Sequence, residues 1–105
     1  MKDITGPQVV QTLQQYISSS PVLIVDFYAP WCGPCKMLGP QLEKITTATV
    51  IKINGDNQDP SVQSKVDQLM AHYQVTAYPT VLIFKKGSLV QKVVGANLNA
   101  IKAAL

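Results

Sequence analysis

The sequence predicts an α/β fold in three layers, a central mixed sheet of four to five strands flanked by four helices, and three features carry that expectation. Strand-like and helix-like apolar patterns alternate through the first two thirds of the chain. Two strand-like runs then follow one another across a turn, and no repeat or linker interrupts the series. At 105 residues the chain is sized for a single domain spanning 1–105, so every motif should share one core.

The elements follow in order. From Pro7, the residues Val9, Val10, Leu13 and Ile17 recur at helical spacing, and Ser18 to Ser20 before Pro21 mark the end of that helix. Val22 to Tyr28 is a nearly unbroken apolar run rich in β-branched and aromatic residues, the pattern of a strand buried on both faces, and Asp26 is its one charge. Beyond Pro30-Trp31, the residues Cys35, Leu38, Leu42 and Ile45 return to helical spacing, with Pro40 expected to kink a helix that continues past it. Val50 to Ile53 reads as a second short buried strand, closed by the turn residues Asn54-Gly55-Asp56-Asn57. Val62, Val66, Leu69, Met70 and Tyr73 trace a third helix. Thr80 to Phe84 and Leu89 to Val94, separated by Lys86-Gly87-Ser88, read as an antiparallel hairpin. Leu98, Ile101 and Leu105 make a last helix with Asn97 as its N-cap.

Composition narrows the function classes. Apolar residues make up 47% of the chain and charged residues 14%, which favours a packed core over disorder. The net charge is +3, yet the lysines are scattered, Lys85-Lys86 is the densest basic spot and arginine is absent. A nucleic-acid stripe needs clustered Lys and Arg, so nucleic acid is not an expected partner. No stretch is long and apolar enough to span a bilayer, and no apolar h-region follows the opening Met-Lys-Asp-Ile-Thr-Gly-Pro, so neither membrane nor export is expected. Two cysteines three positions apart are too few and too close for the staples of a secreted scaffold. They read as working chemistry in a reducing compartment, and a cytoplasmic location is the expectation.

Trp31-Cys32-Gly33-Pro34-Cys35-Lys36 lies where the buried strand gives way to a helix. A helix start offers unpaired N–H groups and the positive end of the dipole, so a thiolate at Cys32 should form below the usual pKa of about 8.5. Cys32 is therefore the expected nucleophile. Cys35 lies three residues on, on the same helical face, within reach of a mixed disulfide formed at Cys32, and is the expected resolving thiol. Pro34 suits a first helical turn, and Gly33 lets a substrate chain approach the sulfurs. Alone, the same spacing also fits half of a zinc site or a structural disulfide. Zinc would need further ligands, but no second cysteine pair exists and the single histidine, His72, lies on a polar side of its helix, so no metal is expected.

Asp26 is costly to ionise if it is buried mid-strand, and it would then hold its proton unusually well. Beneath the dithiol, such a carboxyl can take the Cys35 proton during resolution and return it in reverse, directly or through water. The alternative is a partly exposed aspartate at a strand end. Lys52 has two readings as well, a counter-charge to Asp26 on a neighbouring strand or a side chain snorkelling to solvent. The bond before Pro79 is expected to be trans, as in most X-Pro pairs. Trp31 and Tyr78 read either as an apolar rim for partner docking or as isolated exposed aromatics of no consequence.

The stretch Val25-Asp26-Phe27-Tyr28-Ala29-Pro30-Trp31-Cys32-Gly33-Pro34-Cys35-Lys36 resembles the thioredoxin family. The likeness continues in order through Tyr78-Pro79-Thr80, Phe84-Lys85-Lys86-Gly87 and Val94-Gly95-Ala96, over nearly the whole chain. It implies that Cys32 attacks, Cys35 resolves and Asp26 is the buried acid/base, with Lys52 as its neighbouring lysine. It further implies that Pro79 is cis and stands against the dithiol, that backbone beside it pairs with an extended substrate segment, and that Gly95 borders the docking groove. The expected cofactor set is none beyond the redox-active pair Cys32-Cys35. The expected partners are disulfide-containing proteins and a thioredoxin reductase, with a monomer as the default state. Gly-Pro between the cysteines matches the reducing members, whereas disulfide isomerases tend to carry Gly-His and glutaredoxins Pro-Tyr. The sequence departs from the family pattern in a short start that leaves at most Asp3 to Thr5 for a first strand, and in a longer segment between Pro60 and Pro79. Tyr28 stands where many members have Trp, and Tyr78 where an aliphatic residue is common.

A protein-disulfide reductase acting as an electron carrier is thus the leading expectation. A redox-independent binding subunit and a disulfide oxidase or isomerase are the alternatives.

Overall fold

A computed structural model describes residues 1–105 in the element order β1 (Lys2–Asp3), α1 (Val9–Ser19), β2 (Val22–Tyr28), α2 (Gly33–Glu43), β3 (Thr49–Asn54), α3 (Pro60–His72), β4 (Thr80–Lys85), β5 (Ser88–Val94) and α4 (Leu98–Ala103). The five strands form one sheet in the order β1-β3-β2-β4-β5. β1, β3 and β2 run parallel, and β4 and β5 are antiparallel to their neighbours, so the sheet is mixed.

Period-two alternation along β2 decides which residues meet which helices. Leu23, Val25 and Phe27 join Ile51, Ile53, Leu82 and Phe84 on the face covered by α1 and α3, where Val9, Leu13 and Ile17 meet Val62, Val66 and Leu69. Ile24 points the other way, with Val81, Ile83 and Val93, against Leu38 and Leu42 of α2 and Ile101 of α4. Asp26 shares parity with Ile24 and so faces the α2 layer, and Lys52 shares parity with Val50 on the same side. Phe27 is fully buried in the larger core, and truncating it to alanine would cost about 3–5 kcal/mol.

Local chemistry explains the element ends. Asp59 caps α3 by accepting the Ser61 N–H at 2.9 Å and its hydroxyl at 2.8 Å, and these bonds hold the carboxyl below its ordinary range. Asn97 caps α4 by accepting the Ala100 N–H at 3.0 Å. Lys86 and Gly87 both take positive φ (51° and 82°), the mark of a two-residue hairpin turn, so the turn is one residue shorter than Lys86-Gly87-Ser88 and β5 begins at Ser88. α2 runs through Pro40 and closes after Glu43 in tighter turns, with the Ile45 N–H donating to the Leu42 carbonyl at 3.0 Å. Ile45 and Leu105 therefore lie just past their helices, yet both still pack on the smaller core. The opening strand is real, but it begins one residue before the expected Asp3 to Thr5 and ends at Asp3. Lys2 and Asp3 register with Ile51 and Lys52, and the Ile4 N–H donates to the Lys52 carbonyl at 2.8 Å while its side chain enters the larger core.

Candidate functional site

α2 starts at the end of the central strand, after the short link Ala29 to Cys32. Cys32 is the N-cap, Gly33 and Pro34 fill the first two helical positions, and Cys35 follows. Extended backbone at Cys32 aims its sulfur back along the helix, where Sγ accepts the Cys35 N–H at 3.2 Å. The two sulfurs are joined as a disulfide, with Cα atoms 5.3 Å apart. Both cysteines are buried, whereas Gly33 and Pro34 between them are exposed. In the dithiol form the same N–H and helix end would stabilise charge on Cys32.

The two sulfurs have different surroundings. Cys35 lines an open cavity of about 330 Å³ whose wall also includes Asp26, Tyr28, Lys52 and Lys36; Cys32 is not part of it. Asp26 is 1% exposed, mid-strand, which excludes the partly exposed strand-end reading, and its Oδ1 has no hydrogen-bond partner. Burial raises its carboxyl from 3.8 to about 7, against a smaller lowering by the Lys52 ammonium. Asp26 and Lys52 are paired in register across β2 and β3. No ion pair within 4.0 Å joins them, and the Lys52 ammonium instead lies 5.0 Å from the centre of the Tyr28 ring. Lys52 is thus a neighbouring charge that biases Asp26 without neutralising it. The Tyr28 hydroxyl donates to Asp3 Oδ2 at 2.8 Å and ties the short edge strand to this wall.

In front of the pair, the Trp31 indole is 66% exposed and stands edge-on to Tyr78, with ring centres 5.8 Å apart. Tyr78 packs on the cluster of Ala29, Cys32 and Cys35. The Tyr78–Pro79 bond is cis, which corrects the trans expectation; tertiary context selects one isomer. That context includes the Pro79 carbonyl, which accepts the Gly95 N–H at 2.8 Å, while Gly95 holds a φ of 92° suited to glycine. His72 lies apart, exposed at the end of α3 against Tyr73.

Two residues of this rim escaped the sequence reading. Asp56 Oδ2 accepts the Trp31 indole N–H at 2.6 Å, and Gly55 supports the Tyr78 ring. Both sit in Asn54-Gly55-Asp56-Asn57, whose composition signals a turn and carries no trace of what the turn touches.

The thioredoxin family's sequence profile matches residues 5–105. The chain is 42% identical over 106 residues to thioredoxin-1 of Saccharomyces cerevisiae, covering 97% of this chain and 95% of that one. It is 41% identical over 88 residues to thioredoxin 1 of Synechococcus elongatus, covering 79% and 75%. Among solved structures, oxidised mitochondrial thioredoxin 3 of S. cerevisiae superposes with a TM-score of 0.79 at 29% identity, covering 98% of this chain and 91% of that one. A cysteine pair across the first turn of α2, on a sheet of this order and with relatives of this closeness, leaves one assignment: the chain belongs to the thioredoxin family.

Proposed function

We propose that the Cys32-Cys35 dithiol reduces disulfides in other proteins, with Cys32 attacking, Cys35 resolving and Asp26 moving the proton. The observation that carries this reading is the asymmetry of the pair: Cys32 caps the helix, while Cys35 opens on a cavity holding an unpaired, buried carboxyl.

The Cys32 thiolate attacks one substrate sulfur, the substrate S–S bond breaks, and the departing sulfur leaves as a thiolate that takes a proton from solvent. Asp26, as carboxylate, then accepts the Cys35 proton directly or through water in the cavity. The Cys35 thiolate attacks Cys32 Sγ, the mixed disulfide breaks, and the second substrate sulfur leaves. Two electrons have passed from the dithiol to the substrate, and Cys32-Cys35 is left as the disulfide. A carboxyl poised at about 7 suits this work, since it both accepts and returns a proton near neutral pH.

Trp31, Gly33, Pro34, Tyr78, Pro79 and Gly95 are proposed as the docking rim. Support comes from the exposed Gly-Pro edge, the aromatic pair and the Gly95–Pro79 bond beside it. Proteins of this family act on disulfide substrates and are recharged by a reductase. For this chain the proposal is a thioredoxin reductase as donor, a monomeric carrier built as one domain, and no cofactor beyond the cysteine pair. No helix is long and apolar enough to cross a membrane. The cytoplasm is proposed as the compartment because a reducing milieu keeps the pair in its working dithiol form.

The test is the reduction potential of Cys32-Cys35, titrated in a defined thiol–disulfide buffer while following Trp31 fluorescence. A value near −270 mV, as is typical of thioredoxins, is expected. A value near −180 mV, as in protein disulfide isomerase, would make the chain a disulfide donor. No reversible transition would leave a binding subunit.

A further inference from the structure

We propose that Gly55 and Tyr78 form a coupled pair that positions the Trp31 indole for substrate docking, an inference that rests on the reductase reading above. Gly55 does not owe its identity to its backbone, since it is not among the glycines with positive φ. Space explains it. A Cβ at position 55 would meet Tyr78 Cε1 at 2.5 Å and Cζ at 2.7 Å, and would collide with the hydroxyl.

Neither partner can easily yield. The Gly55 N–H donates to the Tyr28 carbonyl at 2.8 Å, and the Gly55 carbonyl accepts Gln63 Nε2 at 2.9 Å, so the buried Gly55 is pinned to β2 on one side and α3 on the other. The far end of Tyr78 is held as its hydroxyl donates to Met70 Sδ at 3.6 Å. Its near side packs on Ala29 and the two cysteines and meets Trp31 edge-on.

Trp31 is fixed by two directed contacts that share this support. Its N–H is held by Asp56, the residue after Gly55, and its ring is braced by Tyr78, which rests on Gly55. With two thirds of the side chain exposed, the indole has little else to hold it. A methyl at 55 must therefore push the Tyr78 ring away, remove the brace and let the indole turn about its one remaining bond. Gly55 acts through Tyr78, and Tyr78, besides its own place in the rim, acts through Trp31; neither takes part in the exchange itself.

The experiment compares Gly55→Ala, Tyr78→Val, Tyr78→Phe and the double variant Gly55→Ala/Tyr78→Val. Each is assayed on a folded disulfide protein and on the small disulfide 5,5′-dithiobis(2-nitrobenzoate), with the anisotropy of the single tryptophan and the reduction potential recorded in parallel. Gly55→Ala is expected to raise KM for the protein substrate about three- to tenfold, the range of one aromatic contact, with kcat and potential held. Its rate on the small disulfide stays within about twofold, and tryptophan anisotropy falls. Tyr78→Val shows the same loss and the same fall in anisotropy, Tyr78→Phe, which keeps the ring but not the bond to Met70, loses less than Tyr78→Val, and the double variant matches Tyr78→Val because the alanine now has room.

The proposal is overturned if Tyr78→Val keeps the parental KM and anisotropy, or if the double variant falls below Tyr78→Val. A Gly55→Ala chain that does not fold leaves the two Tyr78 variants and the double variant to decide. A parent protein that reduces neither substrate refutes the reductase reading instead.

Discussion

The cavity behind Cys35 and the rim in front of Cys32 serve the same disulfide in opposite ways. Behind it, one carboxyl that is 1% exposed concentrates a large free energy in a single proton. In front, the two thirds of Trp31 that are exposed, an edge-on tyrosine and one carboxylate acceptor share the work. Burial makes each charge expensive, so the proton transfer proposed behind the pair rests on one residue. Exposure makes each contact cheap, so the docking proposed in front of it is spread over several contacts.

Five substitutions test that contrast, from the largest effect to the smallest. Cys32→Ser should abolish turnover, whereas Cys35→Ser should still attack and then stall as a mixed disulfide with the substrate, detectable as a covalent adduct under non-reducing conditions. An adduct through Cys35 in the Cys32→Ser chain would reverse the two roles and with them the distinction between cavity and rim.

Asp26→Asn should raise stability, since a raised acid opposes folding once the unfolded chain ionises. Below the ordinary value of 3.8 both states keep the proton and the group is neutral to stability. Between 3.8 and about 7 the unfolded chain releases the proton while the fold retains it, so stability falls as pH rises; above about 7 the full cost, about 4 kcal/mol, is present. Urea unfolding of Asp26→Asn should therefore show a gain of up to about 4 kcal/mol above pH 7 and a flat profile between pH 4 and 7. A parental profile already flat in that window would mean that Asp26 is solvated.

The same substitution should slow resolution on the order of a hundredfold at pH 7, with mixed disulfide accumulating, because general-base help is lost. The deficit should narrow at high pH as Cys35 ionises unaided. On the rim, Trp31→Ala should raise KM for a protein disulfide about tenfold and spare a small one. Equal losses on both would move Trp31 from docking to chemistry. The smallest effect is expected for Lys52→Met. Loss of the ammonium removes the influence that lowers Asp26, so the pH midpoint of the resolving step should move up. A midpoint that moves down would mean that Lys52 acts on something other than Asp26.

Much of this was legible in the order of residues. The run Val22 to Tyr28 with one charge identified both the central strand and its unusual carboxyl, since a lone aspartate among buried apolar residues must either be exposed or titrate abnormally. The pair Cys32-Gly33-Pro34-Cys35 at a strand-to-helix junction identified the redox pair, which the structure joins as a disulfide. What stayed hidden depends on long-range contact. The edge strand is two residues long because only Lys2 and Asp3 stand in register with β3, and nothing local sets that length. The Asp56 acceptor and the Gly55 support each need a partner some 23 to 25 positions away in the chain, and the cis bond at Pro79, which the family resemblance implied and the usual X-Pro preference did not, lies beside a Gly95 contact 16 positions away.

By itself, the sequence determined the layers, the strand that carries the site and the chemistry of the cysteine pair. Periodicity, helix ends and the cost of a buried charge are properties of neighbours along the chain. Only the tertiary structure decided which sulfur opens on the Asp26 cavity, that Lys52 biases Asp26 without pairing with it, and what braces Trp31. Those outcomes depend on strand register and on which face each side chain takes, and a shift of one residue in either would exchange buried for exposed.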